Sequence, residues 1–263
     1  MELLEAALGV GEVGVAAVDD DVAQLEVGPQ RVEHGVDCAS GGHHQHDHAG
    51  GLQMGHQGRQ VGAREEPVVA VGGGAVLDVV GFAAATVRRG IPWVAVPTTV
   101  IGMADASLGG KVAVNHPRGK NLLGAFHHPH LVLVDPAFLD TLDARDVVSG
   151  LAEIYKVGVM GDPDLVRILR DGEPRTPERW TEALERALAQ KRRVVEEDEK
   201  DLGLRRLLNY GHTLGHALER RLGNDAMRHG EAVAIGMAGA ARLAAGRDLV
   251  DAAWVRRQDE DLE

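Results

Sequence analysis

The sequence predicts an α/β fold: a partial nucleotide-binding unit built on a parallel sheet, followed by an all-helical metal-binding unit. Three observations point to it. Apolar runs at residues 68–71, 93–96 and 131–134 each stop at a Gly- or Pro-containing turn, and a helical stretch lies between the first two. After Pro136 the strand pattern gives way to helical periodicity. Before residue 66 neither period is sustained.

The chain accordingly divides into three parts. Residues 1–65 hold six of the thirteen histidines, the single cysteine (Cys38) and the tract from Gly41 through His43, His44, His46 and His48 to Gly51. Short apolar pieces such as residues 13–18 could be strands, but nothing organises them into a layer, so low order is expected here. Residues 66–136 carry the α/β part, with Gly72-Gly73-Gly74 ending the first strand, a helix over 75–87, and Pro97-Thr98-Thr99 and Asp135-Pro136 ending the next two. Residues 105–121 are expected to be a long functional loop. Residues 137–263 carry helices over 144–160, 162–170, 177–199, 204–221 and 231–245; Pro177 suits an early helical position, which needs no bonded N–H. The charged end, from Arg256 to Glu263, is expected to be a solvated terminus.

Composition narrows the function classes. A formal net charge of -12 argues against a nucleic-acid binder, which needs clustered positive charge, but leaves a small anionic ligand open. No run is long and apolar enough for a membrane span, and residues 1–10 lack the basic start of a secretory signal. One cysteine allows no intrachain disulfide framework. A cytoplasmic protein without membrane or nucleic-acid partners is the expectation.

Several residue groups can carry chemistry. Gly72-Gly73-Gly74 between a strand and a helix lets a diphosphate approach the backbone, where the helix N-terminus favours its charge; a plain tight turn uses the same residues, and the spacing is not G-x-G-x-x-G. Thr98 and Thr99 add hydroxyls at the same end of the sheet. Asp105, Lys111, Asn115, Lys120 and Asn121 lie among glycines that suit an anion cradle, the rival being a solvated loop with incidental lysines. Glu153 and Lys156 share a helical face, as do His212 and His216, and His229 opens the next helix. Two histidines and a carboxylate could hold zinc with one position open. Spacing alone does not choose among His212, His216 and His229, or between Glu153 and Glu231. The histidines at 43–48 are a further possible metal binder, read as adventitious for want of a framework.

Taken together, the motifs resemble the 3-dehydroquinate synthase family. They are Gly72-Gly73-Gly74 with Asp78, Gly81-Phe82-Ala83-Ala84-Ala85-Thr86, Pro97-Thr98-Thr99, Asp105-Ala106-Ser107-Leu108-Gly109-Gly110-Lys111, Asn115 through Phe126, Gly150-Leu151-Ala152-Glu153, Leu208 through His216, and His229 through Met237. The resemblance covers about residues 67–245.

It implies a homodimer that uses NAD and a zinc or cobalt ion to convert a phosphorylated sugar acid, 3-deoxy-D-arabino-heptulosonate 7-phosphate, into 3-dehydroquinate and phosphate. That is a step of the shikimate pathway, run through transient oxidation, phosphate elimination, reduction and aldol closure. The metal ligands it implies are Glu153, His212 and His229, with His216 handling protons. Lys111, Lys120, Asn121, Lys156, Lys191 and Arg205 would line the substrate and its phosphate, Asp105 and Asn209 its hydroxyls, and Arg89 the phosphate, in one arrangement across a dimer contact. Gly72, Gly73, Gly74, Asp78, Thr98 and Thr99, with Lys111 and Lys120, would hold NAD. Cyclases making 2-deoxy-scyllo-inosose or a valiolone share this logic, as does a metal-dependent polyol dehydrogenase; Gly109-Gly110-Lys111 and Asn115-His116-Pro117 look more like the dehydroquinate enzymes.

The family's nucleotide-binding half upstream of the glycine triplet has no recognisable counterpart in residues 1–65, and its helical domain continues past residue 263. A shifted reading frame or misplaced start is the expected cause upstream, and weak NAD binding with little turnover is expected of the chain as given. A fragment that only binds is the non-enzyme alternative.

Overall fold

The apolar runs form strands because β-branched side chains fit a pleated surface and the turn residues after them break it. The computed structural model describes residues 67–116, 119–222 and 226–263, and the backbone of 14–17. The cysteine, the histidine tract at 43–48, and Pro117 and Arg118 lie outside the described residues, as does the low order expected of residues 1–65 apart from one strand.

That strand, β1 (Gly14–Ala17), falls in the apolar piece at 13–18, and it joins a layer: it pairs antiparallel with β6 (Leu131–Val134). β2 (Val68–Gly72), β3 (Trp93–Pro97) and β6 run parallel, giving the order β1-β6-β3-β2. Helix α1 (Gly74–Thr86) is the crossover from β2 to β3. β3 is buried along most of its length, but β2 is not: Val68, Val69 and Val71 are exposed. The sequence treats both as buried. The difference arises because β2 has a neighbour only on its β3 side among the described residues.

Residues 105–121 are not the expected long loop. A wide helical turn at Gly102–Ala106 leads into an antiparallel hairpin of β4 (Lys111–His116) and β5 (Gly119–Phe126). Val112 of this hairpin is buried. Two glycine-rich stretches with alternating small apolar residues hide a hairpin from a pattern search, because glycine lowers the strand signal.

The helices are α2 (Ala144–Gly161), α3 (Pro163–Arg170), α4 (Pro177–Glu197), α5 (His212–Leu222), α6 (His229–Ala245) and α7 (Ala252–Leu262). Asp143, Asp162 and Thr176 cap α2, α3 and α4 by accepting from backbone N–H groups, which explains their starting points. The single helix expected over 204–221 is broken. A 3₁₀ segment, Leu204–Asn209, ends before Gly211, whose φ of 80° lies in the left-handed region where a side chain is strained, and α5 starts just after it.

The charged end is not a free terminus either. It is the docked helix α7, with Val255 and Gln258 buried. Asp261 accepts from the Tyr155 hydroxyl at 2.7 Å and from Arg170 at 2.5 and 2.7 Å, and Gln258 accepts from the Tyr210 hydroxyl at 2.7 Å. Its charges obscured a one-sided amphipathic helix.

α2 and α6 come together at the start of α6. Gly230 lies so close to α2 that an added Cβ would sit 1.8 Å from the Ser149 carbonyl oxygen, and its N–H donates to Ser149 Oγ at 2.9 Å. Replacing Gly230 by Ala gains about 1 kcal/mol of helix propensity but forces two backbones apart, at a cost of about 3 kcal/mol or more. Gly230→Ala should therefore lower the urea midpoint; an unchanged or higher midpoint would contradict the close contact.

Candidate metal centre

Glu153 is carried to the centre of the molecule by α2, whose face Val147-Gly150-Ile154-Val157 is buried. The carboxylate is 1% exposed, and so is the Lys156 ammonium that donates to its Oε2 at 2.5 Å. A buried charge is costly unless paired, which accounts for one oxygen. The other, Oε1, makes no hydrogen bond. Around it stand His229 Nε2 at 3.3 Å and His212 Nε2 at 3.7 Å, so the three side chains share one small space.

The far sides of both imidazoles are already engaged. His212 Nδ1 is 3.2 Å from the Tyr210 carbonyl oxygen, and His229 Nδ1 is 3.3 Å from Glu219 Oε1. With Nδ1 protonated and donating, each Nε2 would present a lone pair to a cation held beside Glu153. An orphaned carboxylate oxygen facing two imidazole lone pairs has the chemistry of a divalent-cation site with room for an exchangeable ligand. Histidine and carboxylate donors suit zinc or cobalt better than calcium or magnesium, which favour oxygen donors alone.

The protonation pattern follows from the packing. Burial alone raises the Glu153 carboxyl, but Lys156 and the His229 ring outweigh it and hold the group below the ordinary range. Burial lowers the His212 imidazole, and Lys156 lowers it further, which keeps it neutral and able to ligate. For His229 burial acts downward but Glu153 and Glu219 pull it up, so in the free protein its proton competes with a cation.

Of the alternatives that spacing left open, Glu231 is committed elsewhere: Arg145 grips both its oxygens at 2.5 and 2.8 Å, and it caps Arg228 N at 2.9 Å. His216 stands beside the pair, its ring centroid 5.2 Å from that of His212 and 5.9 Å from that of His229, and it is half exposed.

A second charged pair lies next to the first. Lys191 of α4 contacts Asp105 Oδ1 at 2.7 Å and also donates to the Asp105 carbonyl oxygen. Burial pushes Asp105 up, but Lys191 and Lys156 together hold it below the ordinary carboxylate range. Arg205 is buried, donating to the carbonyl oxygens of Gly109 and Glu199 at 2.8 and 2.6 Å. Lys111 pairs with Asp201 at 2.6 Å, and Lys120 with Glu219 at 3.1 Å. Asn121 has a φ of 54°, and its N–H donates to Asn115 Oδ1 at 3.3 Å. Asn209 is exposed at the end of its 3₁₀ segment.

Sequence reasoning singled out neither Glu219 nor Asp201. Glu219 is three residues after His216 and seven after His212, a spacing that puts it on their helical face; that signal was available. Asp201 lies in a turn, with no periodicity to mark it.

The glycine triplet sits where β2 ends and α1 begins. A Cβ on Gly73 would come within 3.0 Å of Thr99 Cγ2, and one on Gly74 within 3.2 Å of Ala106 Cβ. Only bare backbone leaves this cradle open, which fits a diphosphate at a helix N-terminus. The Thr99 hydroxyl already accepts from Gly102 N at 3.0 Å, so it is less available than the sequence suggests. Asp78, one turn into α1, is pushed up to about 6, first by burial and then by Asp105. Arg89 follows the other end of α1, about 20 Å from the triplet at 1.5 Å rise per residue.

Comparison with known proteins bears directly on this arrangement. Family models for the N-terminal and C-terminal parts of 3-dehydroquinate synthase match residues 52–149 and 150–263. The chain belongs to the 3-dehydroquinate synthase family. The match is wider than the 67–245 expected, taking in residues from 52 and the docked α7. Among its relatives, the 3-dehydroquinate synthase of Synechococcus sp. (strain CC9605) is 51% identical over 203 residues, 75% of this chain and 54% of the relative. That of Pelobacter propionicus is 53% identical over 184 residues, 68% of this chain and 51% of the relative. The chain thus spans about half the length of the curated relatives it matches.

Among solved structures, a 2-epi-5-epi-valiolone synthase from Streptomyces hygroscopicus with NAD+ and Zn2+ bound superposes with a TM-score of 0.69 at 39% identity, over 74% of this chain and 56% of that one. A 2-deoxy-scyllo-inosose synthase complexed with carbaglucose-6-phosphate, NAD+ and Co2+ gives 0.68 at 32%, over 74% and 55%. The parallel-sheet region followed by an all-helical region is the arrangement shared with these enzymes. Among the described residues, no helix is long and apolar enough to cross a membrane.

Asp78 yields a pH test. Its folded-state value lies above the unfolded one, so the native state holds the proton more tightly, and stability falls as pH rises from about 4 to about 6. Asp78→Asn should be more stable than wild type above that window, by on the order of 1 kcal/mol after allowing for solvent screening, with the gap closing below it. Unfolding midpoints measured across pH check this; a gap that grows as pH falls would refute it.

Proposed function

We propose that this chain carries the metal- and substrate-binding part, together with the glycine-triplet side of the NAD cleft, of a 3-dehydroquinate synthase. The observation that carries the reading is the meeting of Glu153, His212 and His229 around an unpartnered carboxylate oxygen, flanked by buried Lys156 and Lys191. The dehydroquinate reaction is favoured over its rivals by identities of 51% and 53% to 3-dehydroquinate synthases, against 39% and 32% to the valiolone and inosose enzymes.

Glu153, His212 and His229 would hold the divalent ion, zinc or cobalt. Gly72, Gly73, Gly74, Asp78, Thr98 and Thr99, with Lys111 and Lys120, would hold NAD. When bound, the ion supplies Lewis acidity at a substrate hydroxyl and NAD supplies a reversible hydride acceptor.

The remaining work falls to side chains. Lys111, Lys120, Asn121 and Arg205 offer cationic and amide donors for a phosphate and a carboxylate, and Arg89 adds its charge from a second copy across a dimer contact. Glu153 and Asp105 overcome the burial of Lys156 and hold its ammonium on, whereas burial outweighs Asp105 at Lys191 and pulls that ammonium below its ordinary range. Both would offer N–H donors to negative charge developing on substrate oxygen. Asp105 and Asn209 orient hydroxyls. His216, lowered chiefly by burial, is neutral near pH 7 and so able to take a proton. These groups enclose a substrate that must pass through elimination and ring closure without escaping. A cytoplasmic location is part of this reading.

Phosphate release from the heptulosonate 7-phosphate, with NAD and zinc added, tests the reading. Glu153→Gln or His212→Ala should lower whatever rate the chain shows by about 100-fold or more. A chain that released phosphate from glucose 6-phosphate and not from the heptulosonate would transfer the assignment to the inosose-type cyclases.

A further inference from the structure

We infer that Glu219 is the positioning residue of the metal centre, holding His229 in the orientation that lets it ligate and tying it to the hairpin lysine Lys120. The inference rests on the metal reading above and adds a residue to it.

Glu219 is on α5, and its side chain is 4% exposed. Its Oε1 is 3.3 Å from His229 Nδ1 and 3.1 Å from Lys120 Nζ, so one oxygen serves both. Oε2 lies 4.0 Å from His216 Nε2. No second carboxylate reaches His229 Nδ1 among the described residues. An imidazole can turn about its bond to Cβ and can carry its proton on either nitrogen. A carboxylate on Nδ1 removes both freedoms, because it fixes the ring plane and requires the proton on Nδ1. His212 has only the neutral Tyr210 carbonyl for the same task. A charged acceptor binds that proton more strongly and makes Nε2 a better donor to a cation.

The rival role for the same atoms is a second cation site, since His216, Glu219 and His229 also lie within reach of one another. Two features weigh against it. The ammonium of Lys120 already occupies Oε1, the oxygen that faces His229, and a cation shared through His229 Nδ1 would need that nitrogen deprotonated, whereas the Glu153 site needs it protonated. Glu219 therefore serves the Glu153 site from behind. Through Lys120 it also anchors β5, the strand that bears Asn121, to the helix that bears His212 and His216.

The test is cobalt binding by the whole 263-residue chain, with cobalt alone as probe, measured by competition with a chelator and by the visible spectrum of the bound ion. Wild type, Glu219→Gln, Glu219→Ala and Glu153→Gln are compared, with thermal midpoints of the metal-free proteins recorded alongside. Glu219→Ala should bind cobalt about 10- to 100-fold more weakly with an altered spectrum. Glu219→Gln, close in shape and still able to accept from Nδ1–H, should fall between Ala and wild type while remaining folded. Wild-type affinity and spectrum in both Glu219 variants, with Glu153→Gln losing cobalt, would overturn the positioning role and leave the metal site standing. A wild-type chain that takes up no cobalt would overturn both.

Discussion

A carboxylate sealed from solvent sets the terms for the rest of this molecule. Glu153 is 1% exposed, and an ionised group so placed is tolerated only with compensating charge. Lys156 supplies part of that on one side. The other side is left facing two imidazoles, a shortfall that a divalent cation would make good. Asp105 with Lys191 repeats the pairing nearby, so two acid–lysine pairs lie side by side where the turn at Gly102–Ala106 meets the helices. The centre is kept charged and largely dry, which is the condition under which an electrostatic contact has its greatest effect on a reacting group.

Holding such a cluster together demands stiff surroundings. Three helices deliver the donors, and their approach is set by backbone rather than by adjustable side chains: Gly230 against Ser149, and Gly211 turning the chain into α5. Bulk at either point would meet backbone, Ser149 O in one case and Val233 O in the other, and displace the neighbouring His229 or His212. The hairpin and the glycine triplet, in contrast, offer backbone and cations at the rim. One part is buried and closely packed; the other is partly exposed backbone and charge.

Much of this was legible in the sequence. Strands β2, β3 and β6 were readable because Val, Ala and Leu runs end at Gly or Pro, and most helices because their apolar residues recur with helical spacing. The pairing of His212 and His216 on one face followed from their separation by four. What could not be read was the third dimension. Spacing alone did not separate Glu153 from Glu231; the family resemblance pointed to the first, and packing commits the second to Arg145. The hairpin at 111–126 was hidden by glycines, and α7 by its own charges, since Asp261 looks solvated until Tyr155 and Arg170 are seen to meet it. The break before α5 rests on one glycine with a positive φ inside an otherwise helical pattern.

The docking of α7 carries a consequence for how the protein can be watched. The chain contains two tyrosines, Tyr155 and Tyr210, and both hydroxyls end on that helix, one on Asp261 and one on Gln258. Both phenols resist ionisation, Tyr155 most strongly, through burial and its acidic partner. Detachment of α7 would remove the Asp261 and Gln258 acceptors at once, leaving Tyr210 only the Met237 carbonyl. The near-ultraviolet signal of tyrosinate at alkaline pH is thus a built-in optical gauge of whether the last helix is seated, and it needs no added label.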